Sequence, residues 1–454
     1  MAGAASGGAV SPQTAALAAH MAGAAKSALP ADVAAKTRLH ILDSLAAMIS
    51  GARLKPGEMA LAFVAAEGAG AEVLLPGTGI ETSARLAALA GGMMAHADET
   101  DDSHPTAFFH PGCAIVPAAW AMAERGGTSG RAVINAVALG YDVGARINLA
   151  LGVERFYGKQ GFSTHSFGAK FGAAAAAGSL AGLDADQCRW LLSYTAQMAS
   201  GLGSWARDSE HVEKAFDFGG MGAEHGVAAA QMVASGMTGV EDVFTGERGF
   251  FQAYGGNLDE IARELGATYE IMNANIKKWT VGSPCQALLD SLQHLMAENG
   301  LAPDDVGAVT ARVPAVEAHI VDDRSMPDIC LQHLMSVLMI DGTLTFVSTH
   351  DYERMKDARV RALRERIKMV ADPTLPRRAG VIELESARTG KLTHETVHVR
   401  GTAQNPMTED EVAAKARDLI APILGPERTE ALIGKVLALE SVADLRELRP
   451  LTRA

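Results

Sequence analysis

With 454 residues, 48% of them hydrophobic and 20% charged, the chain can build two or three domains around sizeable cores. Its net charge of -13 argues against nucleic acid or an anionic membrane as a partner, and an anionic substrate would need a locally basic pocket. Cys113, Cys188, Cys285 and Cys330 stand far apart without a CxxC pair, which fits reduced thiols in the cytoplasm and neither a disulfide frame nor a zinc knuckle.

Residues 1–12 are rich in Ala, Gly and Ser, lack the basic start and apolar core of a signal peptide, and read as a flexible tail. No apolar run reaches the roughly 18 residues of a membrane span. Helical periodicity follows over 14–27 and 31–51, where Pro30 marks a start and Ile41, Leu42, Leu45, Met48 and Ile49 form one apolar stripe. Glu72 to Gly79 is a short strand or loop closing on a Pro-Gly-Thr-Gly turn. Helices are expected over 83–95, 112–125 and 128–151. A glycine-interrupted patch, Gly158 to Gly168, runs into the alanine-rich Phe171 to Gly178, which can pack backbone-close against another helix. Further helices cover 184–201 and 220–236, separated by the polar segment Trp205 to Lys214. After about residue 265 the texture changes. Val306 to Val313 alternates like a strand, Leu331 to Ile340 is an apolar helix, and Arg359 to Ala371, Gly380 to Ser386 and Leu392 to Arg400 carry short strands. From Asn405 the pattern is helical again, with Thr408 as cap and Glu409, Asp410 and Glu411 in the first turn. The expected fold is mainly α: a large helical domain built from both chain ends, 13–267 and 403–454, carrying a smaller inserted α+β domain, 268–402.

The chemistry concentrates between two of these helices. His96 to Pro111 holds four acids, three histidines and three hydroxyls in sixteen residues. Burying such charge costs several kcal/mol unless it is paired or used, and Phe108, Phe109 and Pro111 argue against a solvated turn. Asp101, Asp102 and Ser103 suit helix N-caps. Asp98, Asp101 and Asp102 also resemble the magnesium box of all-α prenyl-diphosphate enzymes, a metal-dependent alternative that lacks its second Asn-Ser-Glu box here. Acid–base chemistry by carboxylates and imidazoles in a partly dry pocket is the favoured reading.

The order and spacing of several pieces resemble the MmgE/PrpD family of 2-methylcitrate dehydratases, cis-aconitate decarboxylases and iminodisuccinate epimerases. The pieces are the first long helix from Pro30 to Leu45, the Pro76-Gly-Thr-Gly turn, the acidic stretch followed by His110-Pro-Gly, the Phe-Gly-Ala-Ala run, Gly249-Phe-Phe, Asn405-Pro-Met and the tail from Val436 to Leu448. The resemblance implies a helical domain with an α+β lid, a homodimer, and no metal or other cofactor. The family pattern His-Ala-Leu-Asp-Phe-Asp-Asp-Thr-His is similar to His96 through His104, with Glu99 at the first aspartate, Asp98 beside it, and Ser103 for threonine. A family histidine in a Gly-Trp-His-Pro-Thr patch meets Ser163 here, with His165 two residues on, and a family tyrosine meets His333. The family's central lysine matches Lys214, and the basic residue opening the second domain matches Lys278.

What the resemblance implies is a lyase on a small di- or tricarboxylic acid, most directly dehydration of a 2-methylcitrate- or citrate-like hydroxy acid. Decarboxylation or epimerisation of a related acid is the alternative. Proton removal next to a carboxylate creates a dianionic enediolate that needs preorganised cations and donors. The carry-over assigns catalysis to His110, His165, Asp98, Lys214 and Lys278. It assigns substrate contact to Glu99, Asp101, Ser103, His104 and His333, and Arg207 is a further candidate, on its charge alone, for neutralising a substrate carboxylate. His20, His40 and His294 lie on ordinary helices and read as structural.

Overall fold

The computed structural model describes residues 9–68 and 70–454. The expected tail lies, through residue 8, outside the described residues. The chain divides into two compact units, one holding residues up to Ala274 with Val412–Ala454, the other Asn275–Glu411. The molecule is mainly α, as the periodicity predicts.

In the first unit, α1 (Pro12–Ala24) opens with Pro at its first position and Ser11 capping the Thr14 N–H. α2 (Ala31–Gly51) buries its whole apolar stripe, Ile41 to Ile49. α3 (Lys55–Glu67), not expected from the sequence, nests its Gly57 so closely that a Cβ would stand 2.0 Å from Gly51 O. A two-stranded ribbon, β1 (Val73–Leu74) and β2 (Glu81–Thr82), leads to α4 (Ala84–Ala95), α5 (Gly112–Gly126) and α6 (Gly130–Leu151).

The core gathers round α7 (Thr164–Leu180), whose residues are buried from Thr164 to Ser179. Its small residues allow the close approach that the alanine run predicts. A Cβ on Gly172 would meet Gly140 O of α6 at 2.7 Å, and one on Gly144 would meet Gly168 O at 2.5 Å. α8 (Ala185–Gln197) starts with an Asp184–Gln187 capping box. α9 (Val212–Ala215) passes through a π-helical turn, Phe216–Gly220, into α10 (Met221–Ala234). Cys113, Cys188, Cys285 and Cys330 are all free and buried.

The second unit carries a four-stranded mixed sheet of β3 (Val306–Pro314), β4 (Ile367–Asp372), β5 (Gly380–Ser386) and β6 (Gly390–Thr396), in the order β4-β3-β5-β6. β3 runs parallel to β4 and antiparallel to β5, with Val309 opposite both Ile367 and Leu384. Alternate residues Val309, Ala311 and Val313 face a core shared with helices Gln286–Glu298 and Leu331–Asp341. The strand expected over Arg359 to Ala371 is half helix. Asp357 accepts the Arg359 and Val360 N–H groups, caps Ala358–Arg364, and the strand begins only at Ile367.

Candidate active site

The stretch between α4 and α5 folds as a tight loop closed by paired backbone bonds between His104 and Phe109. Phe108 adopts a left-handed backbone (φ 52°) at its apex. That strain is held from α7, where Thr164 Oγ1 donates to Phe108 O at 2.7 Å. Asn148 of α6 ties the same corner, donating to Ala107 O and Thr164 O. His165, the next residue along α7, is thereby carried to the loop.

The four acids of the loop have four separate tasks. Asp98 caps its own turn, accepting from Thr100 N and Oγ1. Glu99 pairs with Lys214. Asp101, fully buried, accepts from two imidazoles at one oxygen, His96 Nδ1 at 2.9 Å and His110 Nδ1 at 3.1 Å. An ionised carboxylate only accepts, so each ring carries a proton on Nδ1 and the basic lone pair of His110 lies on Nε2. Asp102 faces inward and accepts from His40 Nδ1 at 2.7 Å, Tyr141 OH at 2.5 Å and Gly112 N at 2.8 Å. Beneath the loop Lys415 Nζ pairs with buried Asp43 at 2.6 Å and donates to Thr100 O at 2.9 Å.

Phe218, on the π-helical turn, is the hub of the site. Its ring stacks on His165 at 3.7 Å and on His96 at 4.3 Å, and tilts against His110 at 5.3 Å. His110 and His165 are 5.5 Å apart, and Trp205 stands edge-on to His165 at 5.4 Å. The Lys214 ammonium lies 5.2 Å from the Phe218 centroid. Burial drives the His165 imidazole well below its ordinary pKa, and the neighbouring His110, His96 and Lys214 add to the shift. Burial likewise lowers His211 to about 3, with Lys214 and His96 contributing. The site is thus a largely aromatic nest in which burial disfavours the charged forms of His165 and His211, beside the Lys214–Glu99 ion pair.

Of the residues expected from the sequence, His110, His165, Asp101, Lys214 and Glu99 converge here, with Asp98 bracing the same loop. His104 has both ring nitrogens occupied inside the fold, Nε2 by Glu270 and Nδ1 by the Ala107 N–H, and the bond to Glu270 is the first cause of the low Glu270 pKa of about 2. Ser103 is half-buried and Arg207 exposed. In the second unit, Lys278 bonds Asp290 and Gln293 beside a cavity of about 1050 Å³ that His294, His394 and Arg400 also line. His333 is fully buried, and burial lowers it to about 4, with Arg364 and Arg354 assisting. Phe218, Trp205, His96 and His211 were not expected as parts of one cluster. The Phe-Asp-Phe-Gly-Gly run suggests a tight turn, and the structure makes it a π-helical turn, a feature that often marks functional sites.

His96, Asp101 and Cys113 are the one grouping among the described residues with metal-ligand spacing, their ligand atoms lying within 4.8 Å of one another. Asp102 of the metal alternative is instead saturated by protein donors, and Asp98 braces its own turn.

The MmgE/PrpD N-terminal domain matches residues 15–260 and its C-terminal domain residues 279–440. The chain belongs to the MmgE/PrpD family, whose members are enzymes of a dehydratase and decarboxylase type. It is 22% identical over 462 residues to a cis-aconitate decarboxylase-like protein of Aspergillus oryzae, covering 93% of each chain. It is 24% identical over 390 residues to human cis-aconitate decarboxylase, covering 81% of this chain and 79% of the relative. It is also 24% identical over 467 residues to cis-aconitate decarboxylase of Aspergillus terreus, covering 92% and 91%. Among the described residues no helix is long and apolar enough to cross a membrane.

Proposed function

We propose that the protein is a lyase that moves a proton at the carbon next to a carboxylate of a small di- or tricarboxylic acid. The observation that carries this reading is the Asp101 carboxylate shared by His96 and His110, with His165 and Lys214 gathered on the same Phe218 ring. Asp101 fixes the His110 tautomer, and His110 Nε2 takes the α-proton. Lys214 leaves Glu99 for a substrate carboxylate and neutralises the developing enediolate. His165, kept neutral by burial, is matched to donate a hydrogen bond from its ring N–H on the other side. In dehydration of a citrate-like acid the α-proton goes to His110, the hydroxyl leaves as water with a proton returned from the His110 imidazolium, and an alkene remains.

The names of the three relatives favour a second reading, decarboxylation of a cis-aconitate-type acid. There carbon dioxide departs, the double bond shifts, and an imidazole delivers one proton to the α-carbon. The scheme uses side chains alone.

The test is proton NMR of citrate, methylcitrate, cis-aconitate, malate and iminodisuccinate-type acids in deuterated water with pure protein and chelator. Deuterium wash-in or a new alkene signal from one acid is expected, and its absence in His110→Ala. Silence from every acid, with activity appearing on addition of magnesium or zinc, overturns the reading.

A further inference from the structure

Behind the His165–Phe218 stack lies a polar cluster that the proton-transfer scheme does not use. Asp217, almost fully buried, sits in the π-helical turn between Phe216 and Phe218. Its Oδ2 accepts from Ser163 Oγ, which in turn accepts from Trp205 Nε1 at 3.3 Å. Ser163 is the residue that precedes the first turn of α7, two positions before His165, and it is fully buried. Ser166 donates to Ser200 O at 2.9 Å and lies against Gly201, where a Cβ would stand 1.7 Å from Ser166 Oγ and 3.1 Å from Asp217 Oδ1. Gly201 has φ 140°, so this close approach is built into the backbone. Lys170, buried further along α7, donates to Ser200 O at 2.6 Å, and burial lowers its ammonium to about 7 against the opposing pull of Asp217. The carboxyl therefore holds the start of the helix that carries His165, while the residue after it covers the His165 ring.

We propose that Asp217 is a positioning residue for His165, clamping the imidazole between the start of α7, through Ser163, and the stacking ring of Phe218, through the backbone. The clamp deepens the reading of the site above and rests on it only for its catalytic consequence. Lys170 and Glu213 are the charged groups that act on Asp217. His110, His96, Lys214 and Asp101 act on His165. An apolar or merely structural seam would leave the imidazole free to tilt off the ring, whereas Trp205, edge-on to both His165 and Phe218 and bonded to Ser163, makes a third side of the same frame.

The experiment reads His165 directly in the full chain labelled with 15N-histidine, its signals identified by their loss in His165→Gln. In the unaltered protein the ring protons are expected upfield, under the stacked Phe218, and the ring resists protonation well below the ordinary imidazole range. Asp217→Ala and Ser163→Ala should each abolish the upfield shift and raise the His165 pKa by about one unit or more. The double variant should do no more than either alone, because both break one clamp. Asp217→Asn retains an acceptor oxygen and should keep the upfield signals. On an acid that the protein turns over, Asp217→Ala should lower kcat about tenfold or more, with KM within about threefold. A folded Asp217→Ala whose His165 signals do not move, or shifts that add in the double variant, overturns the proposal. If Asp217→Ala does not fold, Ser163→Ala takes its place, and unmoved His165 signals there overturn the proposal equally. Silence on every acid, with the His165 response intact, counts against the polycarboxylate reading and supports the clamp.

Discussion

Asp101 and Asp102 are adjacent, both fully buried, and both bonded to histidine Nδ1, yet they sit in different surroundings. Asp102 faces His40, Tyr141 and the Gly112 N–H, all sealed between α2, α5 and α6. Asp101 faces His96 and His110, and the His110 side chain keeps 13% of its surface open. A histidine–aspartate pair is therefore no mark of catalysis by itself. The same bond fixes a helix junction in one case and a tautomer at an accessible ring in the other. Access and the groups beyond the pair decide which.

The comparison is broken most severely from the Asp102 side. Asp102→Ala leaves His40, Tyr141 OH and Gly112 N–H without their acceptor, and should cost about 3–5 kcal/mol of stability, read as a fall in the urea midpoint. His110→Ala should do the converse: turnover falls on the order of 10²–10⁴-fold while the urea midpoint stays near that of the unaltered protein. Asp101→Asn keeps the shape but offers His96 and His110 an amide that can hold the wrong tautomer. A loss of about 10²-fold in kcat is expected, with little change in stability.

His333 sharpens the contrast at the small end, as a buried imidazole whose strongest charged neighbours are the arginines Arg364 and Arg354. Its folded pKa is about 4 against an ordinary 6.5, so between these values the unfolded chain binds a proton that the folded chain does not. Stability is fully present above pH 6.5 and is lost as pH falls towards 4. His333→Leu should flatten that acid limb by up to about 1.4 kcal/mol per pH unit, measured as urea midpoints across the window.

Much of the first unit was legible because its helices are long and their apolar stripes regular. The span 31–51 is a helix to the residue, and the stretch between α4 and α5 stood out by its density of charge. The division of labour within that stretch was not legible. Asp101 and Asp102 look alike in sequence, and only the helices around them decide which meets Tyr141 and which meets His110. His104 read as a site residue because it ends the matched pattern, and its bonds to the Ala107 N–H and the distant Glu270 were not legible in that pattern. Phe218 was missed because an aromatic ring carries no signal of chemistry until three imidazoles are placed round it. The segment 359–371 misled because Asp357, outside the apparent strand, caps a short helix within it.

The Lys415 bond to Thr100 O has a consequence in time as well as in space. The two residues are 315 positions apart in the chain. At about 5–20 residues per second, a ribosome that has made Thr100 needs roughly 15–60 s more to reach Lys415. Through that interval Asp43 and the acidic loop exist without the ammonium that neutralises and anchors them. The acidic loop is thus synthesised long before the lysine that completes it.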